Sequence, residues 1–126
     1  MKRVSGGLIR FVMYGIVFYL ALGIIPAILI SIMFFGGLLN WIVMRANNGQ
    51  MPVLVKLEWV GSVQVNDAEH CLLTPESRLP FLADRFRFTK RGGVYSVGDI
   101  ILRIASELLT ICLALFIALW CLDAWL

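Results

Sequence analysis

The sequence predicts an all-α membrane protein in which two transmembrane helices are joined by a compact segment at the membrane surface. Residues 11–44 contain no charged side chain over 34 positions, and a helix needs only roughly 20 apolar residues to cross a bilayer. The composition agrees, because 60% of the 126 residues are hydrophobic and only 15% are charged. Typical soluble domains contain about 25% charged residues.

The first apolar run is predicted to form one long helix. Residues 1–10 form a basic N-terminal tail, and residues 11–44 form the first transmembrane helix. A straight helix of this length would measure about 51 Å, more than the roughly 40–45 Å of a bilayer with its headgroups. Pro26 is therefore the predicted kink. The alternative is three passes or a re-entrant hairpin, with a turn at residues 23–26, but that turn would leave backbone groups unpaired in lipid.

Residues 45–96 are predicted to form a polar segment at the membrane surface. The segment carries seven Lys or Arg and five Asp or Glu residues. It also has too many apolar side chains, such as Trp59 and Phe88, for a disordered linker. Residues 74–76 have the pattern of a helix start, and Pro80 should end or bend that helix early. Since the segment is too small for a large core of its own, we expect it to lie against the membrane or a partner.

Residues 97–126 are predicted to form the second transmembrane helix. Ser96 and Asp99 have the spacing of a capping box, in which each residue's side chain accepts a hydrogen bond from the other's backbone. Asp99, Arg103 and Glu107 follow at intervals of four residues and therefore share one helix face. This polar stripe covers the first turns, and the apolar run begins after it. The helix should therefore enter the bilayer from a charged, water-exposed start.

The candidate functional residues have structural explanations as well as chemical ones. His70, Asp84 and Asp99 could form an acid–base group, but nothing in their spacing brings them together. The structural interpretation is a hydrogen-bonded histidine, an acid ending a short helix and a capping residue. Arg103 and Glu107 could belong to an ion path, although an interfacial ion pair explains them better. We predict no catalytic, cofactor-binding or metal-binding residue, and no cofactor.

Three sequence blocks resemble a family of bacterial multi-pass membrane proteins of unknown function. The first block, residues 37–53, contains an Asn-Gly-x-Met-Pro-Val turn. A lone histidine follows, His70 here, and then an Arg-Leu-x-x-Leu-x-Asp block at residues 77–84 that includes Arg78. The last block, residues 95–102, is a Ser-x-Gly-Asp helix start. The resemblance implies an integral membrane protein whose middle segment lies at the membrane face, and it implies no reaction.

We expect a structural function for this chain rather than an enzymatic one. A small accessory or assembly subunit of a larger membrane complex fits two helices with few intramembrane polar groups. Its partners would be other membrane protein subunits and anionic lipid headgroups, and not nucleic acid. One alternative is a homo-oligomeric channel or small transporter. The other is a membrane-embedded enzyme that uses His70, Asp84 and Asp99.

The distribution of basic residues predicts the orientation in a bacterial cytoplasmic (inner) membrane. Residues 45–96 carry seven Lys or Arg side chains, the N-terminal tail three, and the segment after the last span none. By the positive-inside rule the middle segment should be cytoplasmic and the C-terminus external. The hairpin alternative leads to the same assignment for both regions.

Overall fold

The computed structural model describes residues 9, 12–17, 19–63, 65, 67–90 and 92–125. The chain divides into two compact units, one comprising Met1–Ser31 with Ala105–Leu126 and the other Ile32–Ile104. Two long helices, α1 (Ile25–Ala46) and α2 (Val97–Trp125), contribute residues to both units.

The first apolar run is helical at its described positions between Val12 and Ala46. A π-helix, Leu20–Ile24, precedes α1, and the N–H of Ile25 donates to the carbonyl of Leu20. Proline has no N–H to donate to the helix, and the departure from α geometry lies just before Pro26. The described residues therefore form one long helix in this region, without the predicted alternative's hairpin turn at residues 23–26.

Helix α2 begins as the capping-box pattern predicts. The N–H of Asp99 donates to Ser96 Oγ at 3.0 Å, and the N–H of Ser96 donates to Asp99 Oδ2 at 3.1 Å. These reciprocal bonds satisfy two of the donors that a helix start leaves unpaired. Over its 29 residues α2, like the first run, is long and apolar enough to cross a membrane.

A small sheet in the Ile32–Ile104 unit departs from the predicted all-α class. Strands β1 (Met51–Val53) and β2 (His70–Leu72) pair in parallel, with Met51 opposite His70. The all-α expectation was wrong here because strands of three residues are too short to show an alternating pattern. Asp84 adds to the sheet through its backbone: its N–H donates to Pro52 O at 2.9 Å, and its carbonyl accepts from Leu54 N at 2.8 Å.

The short helix predicted after residue 74 is a hydrogen-bonded turn instead. The N–H of Thr74 donates to Ser77 Oγ, and the N–H of Ser77 donates to Thr74 O, both at 3.0 Å. Such local bonds offer the backbone an alternative to a helix. Pro80 begins a helical turn rather than ending one, because the 3₁₀-helix Pro80–Leu82 starts there.

Two glycines allow a close backbone approach within the Ile32–Ile104 unit. A Cβ added to Gly36 of α1 would lie 2.8 Å from the carbonyl oxygen of Gly98 in α2, and one added to Gly98 would lie 2.6 Å from Gly36 O. Val43 of α1 and Ala83, in the same unit, are fully buried. Because neither glycine has a side chain, the first turn of α2 packs directly against α1.

Candidate functional site

A closed hydrogen-bond network joins α1 to the start of α2. Asn40 Nδ2 donates to Asp99 Oδ1 at 2.6 Å, and Ser96 Oγ donates to Asn40 Oδ1 at 2.7 Å. Together with the two capping bonds, these contacts use both ends of the Asn40 amide and both oxygens of the Asp99 carboxylate. Ser96 is fully buried, so the network lies in a region where an unpaired polar group would be costly.

His70 is held at the edge of the sheet by an acidic turn. Asp67 Oδ1 accepts from the N–H groups of Glu69 and His70 at 2.9 and 2.7 Å, and it lies 2.8 Å from His70 Nδ1. The bond to His70 and the bond to the Glu69 N–H keep the pKa of Asp67 below its ordinary value. The ionised Asp67 therefore favours an Nδ1–H donor and fixes the plane of the ring.

Asp84 is the most unusual group of the site. The residue is only 4% exposed, and its Oδ1 has no hydrogen-bond partner among the described residues. Its Oδ2 lies 3.8 Å from His70 Nε2, beyond a normal hydrogen bond. Burial, followed by the negative charge of Asp99, raises the pKa of Asp84 to about 7, and His70 opposes this shift. An acid buried in this way exchanges its proton near neutral pH.

The structure thus brings together the three residues whose sequence spacing did not connect them. His70 contacts Asp84, and Asp84 is close enough to Asp99 for the two charges to repel. The sequence interpretation of Asp84 as the end of a short helix was wrong, because Asp84 follows a single 3₁₀ turn and pairs with β1. The interpretation of His70 as a hydrogen-bonded residue agrees with its contacts to Asp67.

The other three predicted residues, Arg78, Arg103 and Glu107, are exposed. The side chain of Arg78 is exposed, and the residue is held through its backbone: its N–H donates to Asn47 Oδ1 at 2.8 Å, and its carbonyl accepts from Asn47 Nδ2 at 2.9 Å. Arg103 and Glu107 are exposed on α2, one and two helical turns beyond Asp99.

Sequence reasoning missed three residues that organise the site. Asn40 is an amide in a run of 34 residues without a charge, and a polar side chain in such a run commonly has a specific partner. Asn47 lies in the Asn-Gly turn, where its side chain also bonds to the carbonyl of Val43. Asp67, three residues before His70, has the spacing of an Asx turn.

The arrangement suits proton exchange better than metal binding. In the part of the chain that the structure describes, no three His, Cys, Asp or Glu side chains are grouped as a metal ion requires. The cluster instead pairs an oriented imidazole with a buried acid that titrates near neutrality. Such a pair can accept or release a proton, and it can also act as a pH-dependent part of the fold.

Fold and site define a mostly helical protein with two membrane-capable helices and a His70–Asp84–Asp99 cluster in which Asp84 is buried. The chain belongs to a family of unknown function, DUF5317, whose model matches residues 3–120. This agrees with the resemblance to a family without an assigned reaction. Comparison with curated proteins and with solved structures finds no significant match.

Proposed function

We propose that the protein is a small integral membrane protein of the bacterial cytoplasmic membrane that serves as an accessory, structural or assembly subunit of a larger complex. Its location is supported by two helices that are long and apolar enough to cross a bilayer. The partners are other membrane protein subunits, which pack against the apolar helix faces, together with anionic lipid. The multi-pass character of the resembling bacterial family is consistent with this location.

The proposal of a structural role is supported by the hydrogen bonds of the polar side chains within the apolar runs. Ser31 Oγ donates to the carbonyl of Ala27 at 2.8 Å, and Thr110 Oγ1 donates to the carbonyl of Ser106 at 2.9 Å. Hydroxyl groups that bond to their own helix contribute little to a polar stripe along a conducting path. A two-helix chain of this kind presents apolar surface to its surroundings, which favours a subunit role over a homo-oligomeric channel.

The proposed orientation follows from the basic residues. Residues 45–96 carry seven Lys or Arg side chains, and such residues near span ends are retained on the cytoplasmic side. We therefore place this segment in the cytoplasm and the C-terminus outside. The His70–Asp84 pair would then face the cytoplasmic surface, where it is exposed to the internal pH.

A cross-linking scan of α2 tests the subunit role. Photoreactive residues are introduced singly across positions 111–119 in the native membrane, where Ile111, Leu115 and Ile117 are 55%, 60% and 60% exposed. A partner subunit would give cross-links to a different protein from one helix face, and positions on the opposite face serve as controls. Cross-links only to a second copy would favour the channel, and cross-links only to lipid at every position would overturn the proposal.

A second candidate function, a membrane-embedded enzyme, is favoured by the approach of His70 to Asp84 at 3.8 Å. The buried acid could give a proton to a substrate, and the histidine could take one. The test compares the wild-type protein with Asp84→Asn on a set of chromogenic ester and phosphoester substrates, with the exposed Asp123→Asn as a control. Turnover that only Asp84→Asn abolishes would establish the enzymatic role; turnover unaffected by that change would exclude this site.

A further inference from the structure

A second feature of the Ile32–Ile104 unit is a cationic cavity whose lining residues do not include His70, Asp84 or Asp99. It encloses about 520 Å³ between the 3₁₀-helix Leu57–Trp59 and residues 87–90. Its lining combines an indole and a phenyl ring, two hydroxyl groups, two cations and one acid: Trp59, Phe88, Ser62, Thr89, Arg87, Lys90 and Glu58. This is the composition of a site for an anion carried on an apolar molecule.

The positive charges around the cavity are held in place. Arg87 Nε donates to the carbonyl of Gly92 at 3.2 Å, and Arg87 Nη2 donates to the carbonyl of Lys90. The Arg87 guanidinium carbon lies 5.5 Å from the centre of the Trp59 ring, and Lys56 Nζ lies 5.2 Å from the same centre. Both distances are within cation–π range. Trp59 therefore orients two cations at the edge of the cavity.

The charge balance leaves the cavity short of negative charge. Arg87 and Lys90 line the cavity together with a single acid, Glu58. Within the described residues, neither these two cations nor Lys56 forms an ion pair. The two backbone carbonyls bound by Arg87 leave N–H groups of its guanidinium for another acceptor. A phosphate oxygen matches these donors in charge and geometry.

Apolar side chains beside the cavity indicate that the anion belongs to a lipid. Leu57, Val60 and Phe88 are 94%, 70% and 68% exposed. Apolar side chains that faced only water would not stabilise the protein. At a bilayer interface such side chains enter the acyl region, while neighbouring basic side chains contact the headgroups. Trp59 is also of the residue type that prefers this interface.

We propose that this cavity binds the phosphodiester headgroup of an anionic phospholipid through Arg87 and Lys90, with Leu57, Val60 and Phe88 inserted between the neighbouring lipids. The inference rests on the proposed membrane location and names a site for one of its partners. In this arrangement the surface of the Ile32–Ile104 unit that contains the cavity lies against the bilayer.

Native mass spectrometry of the full-length protein in neutral detergent, titrated with phosphatidylglycerol or phosphatidylcholine, tests this site. We expect phosphatidylglycerol to bind preferentially and Lys90→Gln to weaken it about fivefold, the effect of one basic residue at a membrane surface. Arg87→Gln should weaken it at least as much. Arg85→Gln is the matched control, because Arg85 is exposed and two residues away but does not line the cavity. Equal weakening by all three changes would reduce the binding to general surface charge and overturn the site.

Two further measurements separate a lipid from a soluble anion. Leu57→Ser, at a position exposed enough not to affect folding, should lower phosphatidylglycerol binding. Inorganic phosphate and glycerol phosphate should compete only weakly. Competition by either anion as strong as that by the lipid, or no preference for phosphatidylglycerol, would overturn the proposal. Failure here would not alter the cross-linking result, so the headgroup site and the subunit role can fail separately.

Discussion

At the scale of single residues, Asp84 shows how burial changes the behaviour of a common side chain. Its backbone continues the sheet, while its carboxyl group is enclosed beside His70 and near the charge of Asp99. A carboxylate in this position lacks both water and a complete set of donors, which favours its protonated form. The fold therefore holds a proton on Asp84 at a pH where an exposed aspartate would be ionised.

This protonation predicts a pH-dependent stability. Because folding raises the pKa of Asp84 from 3.8 to about 7, the folded state binds the proton more tightly. The contribution of Asp84 to the free energy of unfolding should therefore be complete below about pH 4 and be lost as the pH rises through 7. Asp84→Asn imitates the protonated acid and should remove this loss. One pKa unit corresponds to about 1.4 kcal/mol. The free energy of unfolding of Asp84→Asn minus that of the wild type should therefore increase by up to about 3 kcal/mol between pH 5 and pH 8.

Thermal unfolding in mild detergent, followed by circular dichroism at pH 5 and pH 8, measures this difference. Asp123→Asn, an exposed change near the C-terminus, is the control and should behave like the wild type at both pH values. If the difference in stability between the wild type and Asp84→Asn were the same at pH 5 and pH 8, the pKa of Asp84 would not be raised by folding.

Asn40 is the second residue whose contacts predict a large contribution to stability. Asn40→Ala removes the donor to Asp99 and the acceptor for Ser96, and it leaves a charged partner underbonded. We expect a loss of about 2–4 kcal/mol in the free energy of unfolding, since two partly buried bonds are lost and one involves a carboxylate. Ser31→Ala, which removes only a bond to its own helix, should cost less than about 1 kcal/mol by the same principle. Similar losses in both variants would contradict the role of the network.

At the scale of elements, the contact between α1 and the first turn of α2 combines close packing with capping. The Gly36 and Gly98 backbones approach closely, and the Ser96–Asp99 box forms beside them. The same acid therefore caps its own helix and bonds to the neighbouring one. A local signal visible in the sequence thereby becomes part of the tertiary contact.

The glycine contact predicts opposite effects at adjacent positions. Gly36→Ala would place a methyl group 2.8 Å from Gly98 O, whereas a methyl group on Gly37 would meet nothing within 4 Å. Gly36→Ala should cost about 1–3 kcal/mol because the helices must separate. Gly37→Ala should be neutral or stabilise by up to about 1 kcal/mol through helix propensity. Denaturant unfolding in detergent measures both, and equal stability of the two variants would show that the contact is loose.

At the scale of the whole molecule, the two long helices and the basic segment between them predict one topology. A reporter that is active only in the cytoplasm, fused after Leu126, should be silent, because the positive-inside rule places the C-terminus outside. The same reporter inserted after Gly61, in an exposed turn, should be active. A bright signal from the C-terminal fusion would reverse the proposed orientation of the chain and of both sites.

The sequence by itself determined the long helices and the start of α2. An apolar run and a capping box are local signals, because each depends on residues a few positions apart. Only the tertiary structure decided that Asn40, His70, Asp84 and Asp99 meet, and that β1 pairs with β2. These contacts join residues 14 to 59 positions apart. Their formation depends on how the whole chain packs, a choice that no local periodicity or spacing encodes.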